Sequence, residues 1–143
     1  MELERETKIS GETLFTGHIF TLTYDRVALP EGKEGMREVV HYHGSSAIVA
    51  INEKDEVALV RQFRYAMGRE MIELPAGIRD PQDTSPFDTA VRELEEEVGV
   101  VAENWRDFGM VVPSCGSSDE EISIYYATGL TKTQQNLDDT EYL

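Results

Sequence analysis

The 143-residue chain has one cysteine, Cys115, and therefore cannot form an internal disulfide. A lone thiol fits the reducing cytoplasm, which is the location we predict. The sequence also lacks an apolar run of about 18 residues, the length that a membrane span needs. Its first residues, MELERETKIS, are charged and lack the apolar core of a signal peptide. We therefore expect a soluble globular protein without a membrane segment.

Basic residues are scarce as well. Thirteen lysines and arginines face 28 aspartates and glutamates, which gives a net charge of −15. Nucleic acid polymers and anionic membranes repel such a surface, so we expect neither as a partner. If the ligand is itself anionic, arginines or bound cations must neutralise it locally. An acidic surface also favours solubility, so the charge restricts the partners without identifying the ligand.

The length fits one domain with a real hydrophobic core. Alternating apolar residues predict strands, and Pro- and Gly-containing or polar turns at 30–35 and 52–56 predict two hairpins. The predicted strands are 18–29, 36–43, 45–51, 57–65, 71–74, 108–112 and 121–128.

One segment has strong helical signals. Ser85 suits an N-cap, Pro86 the first helical position and Asp88 the acidic position of a capping box. Apolar residues recur after it at helical spacing, and Gly99 supplies a C-terminal stop. A mostly β chain with one long helix near its middle is typical of an α+β domain.

The sequence AVRELEEEVGV, residues 90–100, places four glutamates in five positions of this helix. At about 100° per residue, Glu93 and Glu97 fall on one flank with Glu96 a little further round, whereas Glu95 lies opposite. Such closely spaced acids repel one another, and the helix dipole disfavours them in the C-terminal half. The cluster therefore needs an explanation.

Two interpretations of the cluster stay open at this stage. A run of charges is often a solvated helix face. Arg92 is the only base in the helix and cannot neutralise three glutamates, so the other interpretation is a bound cation. Carboxylate oxygens at this spacing suit Mg²⁺ or Mn²⁺, which can also bridge to the phosphates of a substrate.

The stretch RELEEEVGV resembles the second half of the Nudix box, in which Gly, five residues, Glu and seven residues precede Arg-Glu-apolar-x-Glu-Glu-x-Gly-apolar. The matching positions are Arg92, Glu93, Leu94, Glu96, Glu97, Gly99 and Val100. The first half departs from the pattern, because Gly77 lies one residue too far upstream. The place of the first glutamate is Thr84 by counting back from Arg92, or Asp83 if one residue is inserted.

The resemblance extends over nearly the whole chain. VALVRQFRYAMGREMIELPAGI, GSSDEEISIYYATGL and the N-terminal strands are similar to segments of ADP-ribose pyrophosphatases. The resemblance implies a Nudix-type α/β/α sandwich with a mixed β-sheet and an N-terminal antiparallel β-region. It further implies that residues 1–43 form a swapped dimerisation region of a homodimer. Residues 44–143 would be the hydrolase domain, short or truncated at its C-terminal end relative to those enzymes.

The same resemblance implies an activity and its ligands. The substrate would be a nucleoside diphosphate sugar, ADP-ribose, cleaved to AMP and ribose 5-phosphate with Mg²⁺ or Mn²⁺ as cofactor. The metal ligands would be Glu93, Glu97 and the backbone carbonyl of Ala76, with Glu96 as a further ligand or an acid behind the ligands. Arg92 would orient the glutamates through charge-assisted hydrogen bonds.

The resemblance also implies residues for the substrate and the proton. Arg64 and Glu73 match positions that hold the substrate, and we add Arg61 and Phe63 as further substrate-binding residues, although a surface base and a core aromatic are the simpler interpretations. The general base would be a glutamate on a late loop. The sequence QNLDDTEYL offers Glu141 as the first choice and Asp139 as the second.

Two other functions remain open. The chain could hydrolyse another nucleoside diphosphate sugar or a damaged nucleotide, or it could sense a nucleotide without turning it over. His41 and His43 share a strand face but have no third ligand nearby in the sequence, so we expect no zinc site. Cys115 has no evident base beside it, so we expect no thiol nucleophile.

Overall fold

The structure, a computed structural model, describes residues 5–137 and 142–143. Its strands are β1 (Thr7–Thr16), β2 (Phe20–Ala28), β3 (Glu34–Tyr42), β4 (Ser45–Ala50), β5 (Val60–Arg64), β6 (Arg69–Glu73), β7 (Ala76–Ile78), β8 (Val100–Val111) and β9 (Ile122–Lys132). Its helical segments are helix α1 (Pro86–Glu93), a π-helical turn (Leu94–Val98) that continues it, and two 3-10 turns (Pro30–Gly32 and Tyr65–Met67).

The chain divides into two compact units. The first comprises Met1–His43 and Val112–Glu121, and the second comprises Gly44–Val111 and Ile122–Leu143. The dimerisation role expected of residues 1–43 stays a prediction.

The first unit is built on an antiparallel sheet with strand order β1-β2-β3. Its loop 112–121 is attached to β3, because the N–H of Val40 donates to the Ser117 carbonyl at 2.8 Å and the N–H of Asp119 donates to the Val40 carbonyl at 3.1 Å. His41 is held in place: its Nδ1 lies 2.5 Å from an Asp119 carboxylate oxygen and its Nε2 lies 3.1 Å from the Thr23 hydroxyl. His41 thus has structural partners within this unit.

The second unit contains a four-stranded mixed sheet with strand order β7-β4-β9-β8. Strands β4 and β9 run parallel, and the other neighbours run antiparallel. Helix α1 contacts β4, and Ala90 on the helix and Leu94 at the start of the π-helical turn are completely buried with Ile48 on the strand. A separate two-stranded sheet, β5-β6, completes the unit. The α+β prediction, with a mixed sheet and an N-terminal antiparallel region, is confirmed.

Three strand predictions needed correction. Strand β1 was not predicted, because all ten of its residues are exposed and no alternation marks a buried face. Strand β8 starts at Val100 and not at 108, since its first half carries charged residues that obscure the period. The predicted strands do not include residues 76–78, but these residues pair with β4 as strand β7.

Candidate active site

The helix that carries the acidic cluster starts as its sequence predicted. The Ser85 hydroxyl accepts from the Asp88 N–H at 3.2 Å, and the Asp88 carboxylate accepts from the Ser85 N–H at 3.0 Å, which completes the capping box. Gly99 ends the helix in the left-handed conformation with φ 69°. The final turn, Leu94–Val98, is π-helical, which the sequence pattern did not predict. Such turns are rare and occur often at functional sites.

Two of the glutamates are buried against β7. Glu93 is 6% exposed and Glu97 is 4% exposed. The N–H of Ala76 donates to the Glu97 carboxylate at 2.8 Å. The backbone of Gly77 lies so close to the Glu93 carboxylate that a Cβ atom at this position would overlap both of its oxygens. The solvated-face interpretation therefore fails for this pair of acids.

Arg92 lies among three carboxylates. Its Nη1 donates to Glu93 at 2.7 Å and to Glu96 at 2.8 Å, and its Nη2 donates to Asp83 at 3.0 Å. Burial opposes the charge on the guanidinium, but the hydrogen bonds to Asp83, Glu96 and Glu93 outweigh it and raise the pKa of Arg92 above its usual value. The contacts match those predicted for an orienting arginine, and its role in activity stays a prediction.

Asp83 and Thr84 are the two candidates for the place of the first glutamate in the sequence pattern. It is Asp83, and not Thr84, that pairs with Arg92, whereas the Thr84 hydroxyl donates to Asp88 at 2.5 Å. The Arg92 hydrogen bond, helped by donors from Asp80 and Thr89, lowers the pKa of Asp83 to about 2 from an ordinary 3.8. The contact with Arg92 favours Asp83, with one inserted residue, as the counterpart of the first glutamate, and this assignment stays a prediction.

We expect Asp83 to make stability depend on pH. The pKa of Asp83 is lower in the folded chain than in the unfolded chain. Its contribution to the free energy of unfolding is therefore complete above about pH 4 and is lost as the pH falls towards 2. Asp83→Asn should lower the free energy of unfolding at pH 7 by about 1–3 kcal/mol and flatten its fall between pH 4 and 2. Urea unfolding at several pH values measures both effects.

Asp55→Asn is the matched control, because Asp55 lies in an exposed turn. This control should keep the wild-type stability and pH dependence. Equal unfolding curves for the two variants would contradict a stabilising Asp83–Arg92 pair.

The residues predicted for the substrate lie on the β5-β6 sheet. Arg64 donates to Glu73 at 2.6 Å, and Arg61 lies 3.8 Å from Glu70. Phe63 is 59% exposed, so it is not a core aromatic in this chain. After Glu73 the chain continues through Leu74 and Pro75 directly to Ala76, whose N–H binds Glu97. The roles of Arg61, Phe63, Arg64 and Glu73 in binding a substrate stay predictions.

Glu93 and Glu97 are the candidate ligands for a divalent cation. Within residues 5–137 and 142–143, no three histidine, cysteine, aspartate or glutamate side chains form a ready-made metal cluster. The buried carboxylates of Glu93 and Glu97 nevertheless supply the oxygen ligands that a hard cation prefers. Glu93 also lies so close to the backbone of Gly77 that no residue with a Cβ atom would fit there. Glu141 and Asp139, the predicted bases, lie outside the described residues.

Sequence reasoning missed the residue that joins the helix to the sheet. The fully buried Ser46 donates its hydroxyl to the Pro86 carbonyl at 2.7 Å, which fixes the start of α1 on β4. The available signal was a serine pair at the start of an otherwise apolar strand. A buried hydroxyl needs a hydrogen-bond partner, so a serine in this strand indicates a contact with a neighbouring element.

Comparison with known proteins finds three relatives of similar sequence and a solved structure with a similar fold. The chain is 45% identical over 122 residues to an ADP-ribose pyrophosphatase of Mycobacterium tuberculosis (strain ATCC 25618 / H37Rv), covering 85% of this chain and 59% of that protein. It is 35% identical to a methanol dehydrogenase activator of Bacillus methanolicus, covering 99% of this chain and 77% of that protein. An ADP-ribose pyrophosphatase of Bacillus subtilis (strain 168) is 32% identical, covering 100% of this chain and 78% of that protein.

A crystal structure of an ADP compounds hydrolase superposes with a TM-score of 0.83 at 21% identity, covering 99% of this chain and 76% of that one, which confirms the fold. In the described part of the chain, no helix is long and apolar enough to cross a membrane. A family profile, the NUDIX domain, matches residues 41–143, and this match includes the helix with the buried glutamates. Because the profile matches most of the chain, including the arginine and the glutamates of that helix, the chain belongs to the Nudix family of hydrolases.

Proposed function

We propose that the protein hydrolyses ADP-ribose to AMP and ribose 5-phosphate with Mg²⁺ or Mn²⁺. The observation that carries the proposal is the burial of Glu93 and Glu97 against Ala76 and Gly77, which forms a compact carboxylate site on a complete second half of the Nudix box. Two of the relatives are ADP-ribose pyrophosphatases, although the chain spans only 59% of one of them.

The reaction breaks one phosphorus–oxygen bond of the diphosphate. A water molecule attacks one phosphorus, its proton passes to a base, and the other phosphate leaves. When bound, divalent cations neutralise the diphosphate and acidify the attacking water. Glu93, Glu97 and the Ala76 carbonyl would hold them, and Arg92 keeps Glu93 and Glu96 oriented by hydrogen bonds. Such cations would also supply the positive charge that so acidic a protein needs to bind an anionic substrate.

Further residues of this chain would serve the substrate and the proton. Arg64 and Glu73, paired with each other on the β5-β6 sheet, would hold the substrate beside the site, with Arg61 and Phe63 on the same sheet. Glu141 remains our choice of base, with Asp139 second. We also assign the protein to the cytoplasm, on its single cysteine.

A substrate panel tests the proposal. Purified protein with ADP-ribose and Mg²⁺ or Mn²⁺ should release AMP, and excess EDTA should abolish the release. Other nucleoside diphosphate sugars should show kcat/KM values at least about tenfold lower. A higher value for another compound would reassign the substrate, and absence of turnover throughout the panel would overturn the hydrolase proposal. Glu141→Gln and Asp139→Asn, assayed alongside, identify the base.

The second candidate function is nucleotide sensing, which the irregular start of the Nudix box at Gly77 and Thr84 favours. In that case calorimetry would show tight binding of ADP-ribose in the presence of metal without any product.

We also propose a homodimer formed through the N-terminal sheet. Strand β1 lies at the sheet edge and exposes apolar side chains, including Ile9, Leu14 and Phe15. An exposed apolar edge strand pairs readily with another chain. Sedimentation of the protein as a monomer at micromolar concentration would contradict this assembly.

A further inference from the structure

We infer that Gln135 is a positioning residue, which holds the π-helical turn that presents Glu96 and Glu97. The inference rests on the proposed function only in assuming that these glutamates bind divalent cations. Gln135 lies outside the Nudix box, beyond the last strand, and nothing in the sequence pattern marks it.

The end of a helix leaves its last carbonyl groups without donors from the helix itself. Here the segment after β9 supplies donors to two of those carbonyls and to the Gly99 carbonyl just beyond the turn. The Thr133 N–H donates to the Gly99 carbonyl at 2.7 Å, and the Asn136 N–H donates to the Glu96 carbonyl at 3.2 Å. Between them, the side-chain amide of Gln135 donates to the Glu97 carbonyl at 2.5 Å. Of these three donors, only the Gln135 amide belongs to a side chain.

Glu97 is consequently held at both ends. Its carboxylate accepts from the Ala76 N–H at 2.8 Å, and its carbonyl accepts from Gln135. A rotation of the π-helical turn would break either contact and move the carboxylate away from β7. Because the turn is not regular α-helix, its geometry depends on such outside partners.

The segment also packs closely on the end of the turn. Gly99 has a φ of 69°, and a Cβ atom there would lie 2.9 Å from the backbone nitrogen of Gln135. The same segment contributes Gln134 and Asn136 to a cavity of about 580 Å³, which Arg92 and Glu96 also line. The positions of Glu96 and Glu97 are therefore coupled to this segment through several contacts.

Replacement of Gln135 by Met keeps the length of the side chain and removes the donor. We expect the dissociation constant for Mn²⁺, measured by electron paramagnetic resonance of the free ion, to rise about five- to tenfold. The KM for ADP-ribose at saturating metal should stay within about twofold of the wild type, because no substrate contact changes. A merely structural loss would lower the melting temperature without this selective change in metal affinity.

Gln82→Met is the matched control, since it makes the same change at an exposed residue of the loop before α1. It should bind Mn²⁺ as the wild type does. Gln135→Asn, which keeps the amide but is too short to reach the Glu97 carbonyl, should weaken Mn²⁺ binding as Gln135→Met does. If one of the two variants fails to fold by circular dichroism, the other decides.

Wild-type Mn²⁺ affinity in a folded Gln135 variant would overturn the inference, as would equal weakening in Gln82→Met. A wild-type protein that binds no Mn²⁺ would overturn it together with the proposed function. A protein that binds Mn²⁺ but releases no AMP would refute the proposed function alone, and the Mn²⁺ comparison would still decide the role of Gln135.

Discussion

Replacing Glu97 by Gln should reduce the release of AMP from ADP-ribose by at least about 10³-fold at saturating metal. The substitution keeps the size of the side chain and removes its negative charge, which would supply much of the affinity for a divalent cation. Glu97 is buried, and its carboxylate is fixed by the Ala76 N–H. The neutral amide can no longer complete the proposed cation site there. Initial rates of AMP formation over a range of Mg²⁺ concentrations measure the loss.

Glu95→Gln is the matched control for this experiment. It makes the same chemical change two residues earlier in the same π-helical turn. The helical spacing predicts Glu95 on the opposite flank from Glu93 and Glu97. In the structure Glu95 lines the same cavity as Gln134 and Asn136. This variant should retain activity within about twofold. Persistence of AMP release in Glu97→Gln would exclude the proposed mechanism, and equal losses in both variants would point to a general charge effect.

Replacing Gly77 by Ala should damage both stability and activity. A Cβ atom at this position would overlap the carboxylate of Glu93, and that side chain is 6% exposed with little room to withdraw. Overpacking of this kind typically costs about 1–3 kcal/mol in the free energy of unfolding. Displacement of a catalytic group by about 1 Å can cost 10²-fold in rate. Urea unfolding and the AMP assay measure the two effects.

Two variants make the Gly77 prediction specific. Gly116→Ala should leave the unfolding free energy unchanged, because no heavy atom lies within 4 Å of the Cβ that it adds. The double variant Gly77→Ala/Glu93→Asp should regain part of the lost stability, since the shorter acid leaves room for the methyl group. A Gly77→Ala protein with wild-type stability and rate would show that Glu93 moves aside without cost, which contradicts a rigid site.

Sequence reasoning predicted the helix and its caps accurately because their physical causes are local. Ser85, Pro86, Asp88 and Gly99 act through hydrogen bonds and backbone preferences within a few residues. The predicted strands with one apolar face were recovered for the same reason. Strand β1 was missed, because an exposed strand has no buried face to impose alternation.

The candidate site was predictable only in part. The crowding of Glu93, Glu96 and Glu97 was visible in the sequence, and so was the need for a counter-charge. The pairing of Arg92 with Asp83 was not, because the two residues are nine positions apart and meet only through the path of the loop before α1. Counting along the chain does not reveal which carboxylate reaches a guanidinium.

By itself, then, the sequence determined the family, the capped helix and the acids that the helix carries, since these follow from residue types at fixed local spacing. Only the tertiary structure decided that Glu93 and Glu97 turn inward against Ala76 and Gly77, and that Gln135 holds the turn from beyond the last strand. Those contacts join residues that are far apart in the chain. They depend on how the sheet and helix pack, which no local pattern encodes.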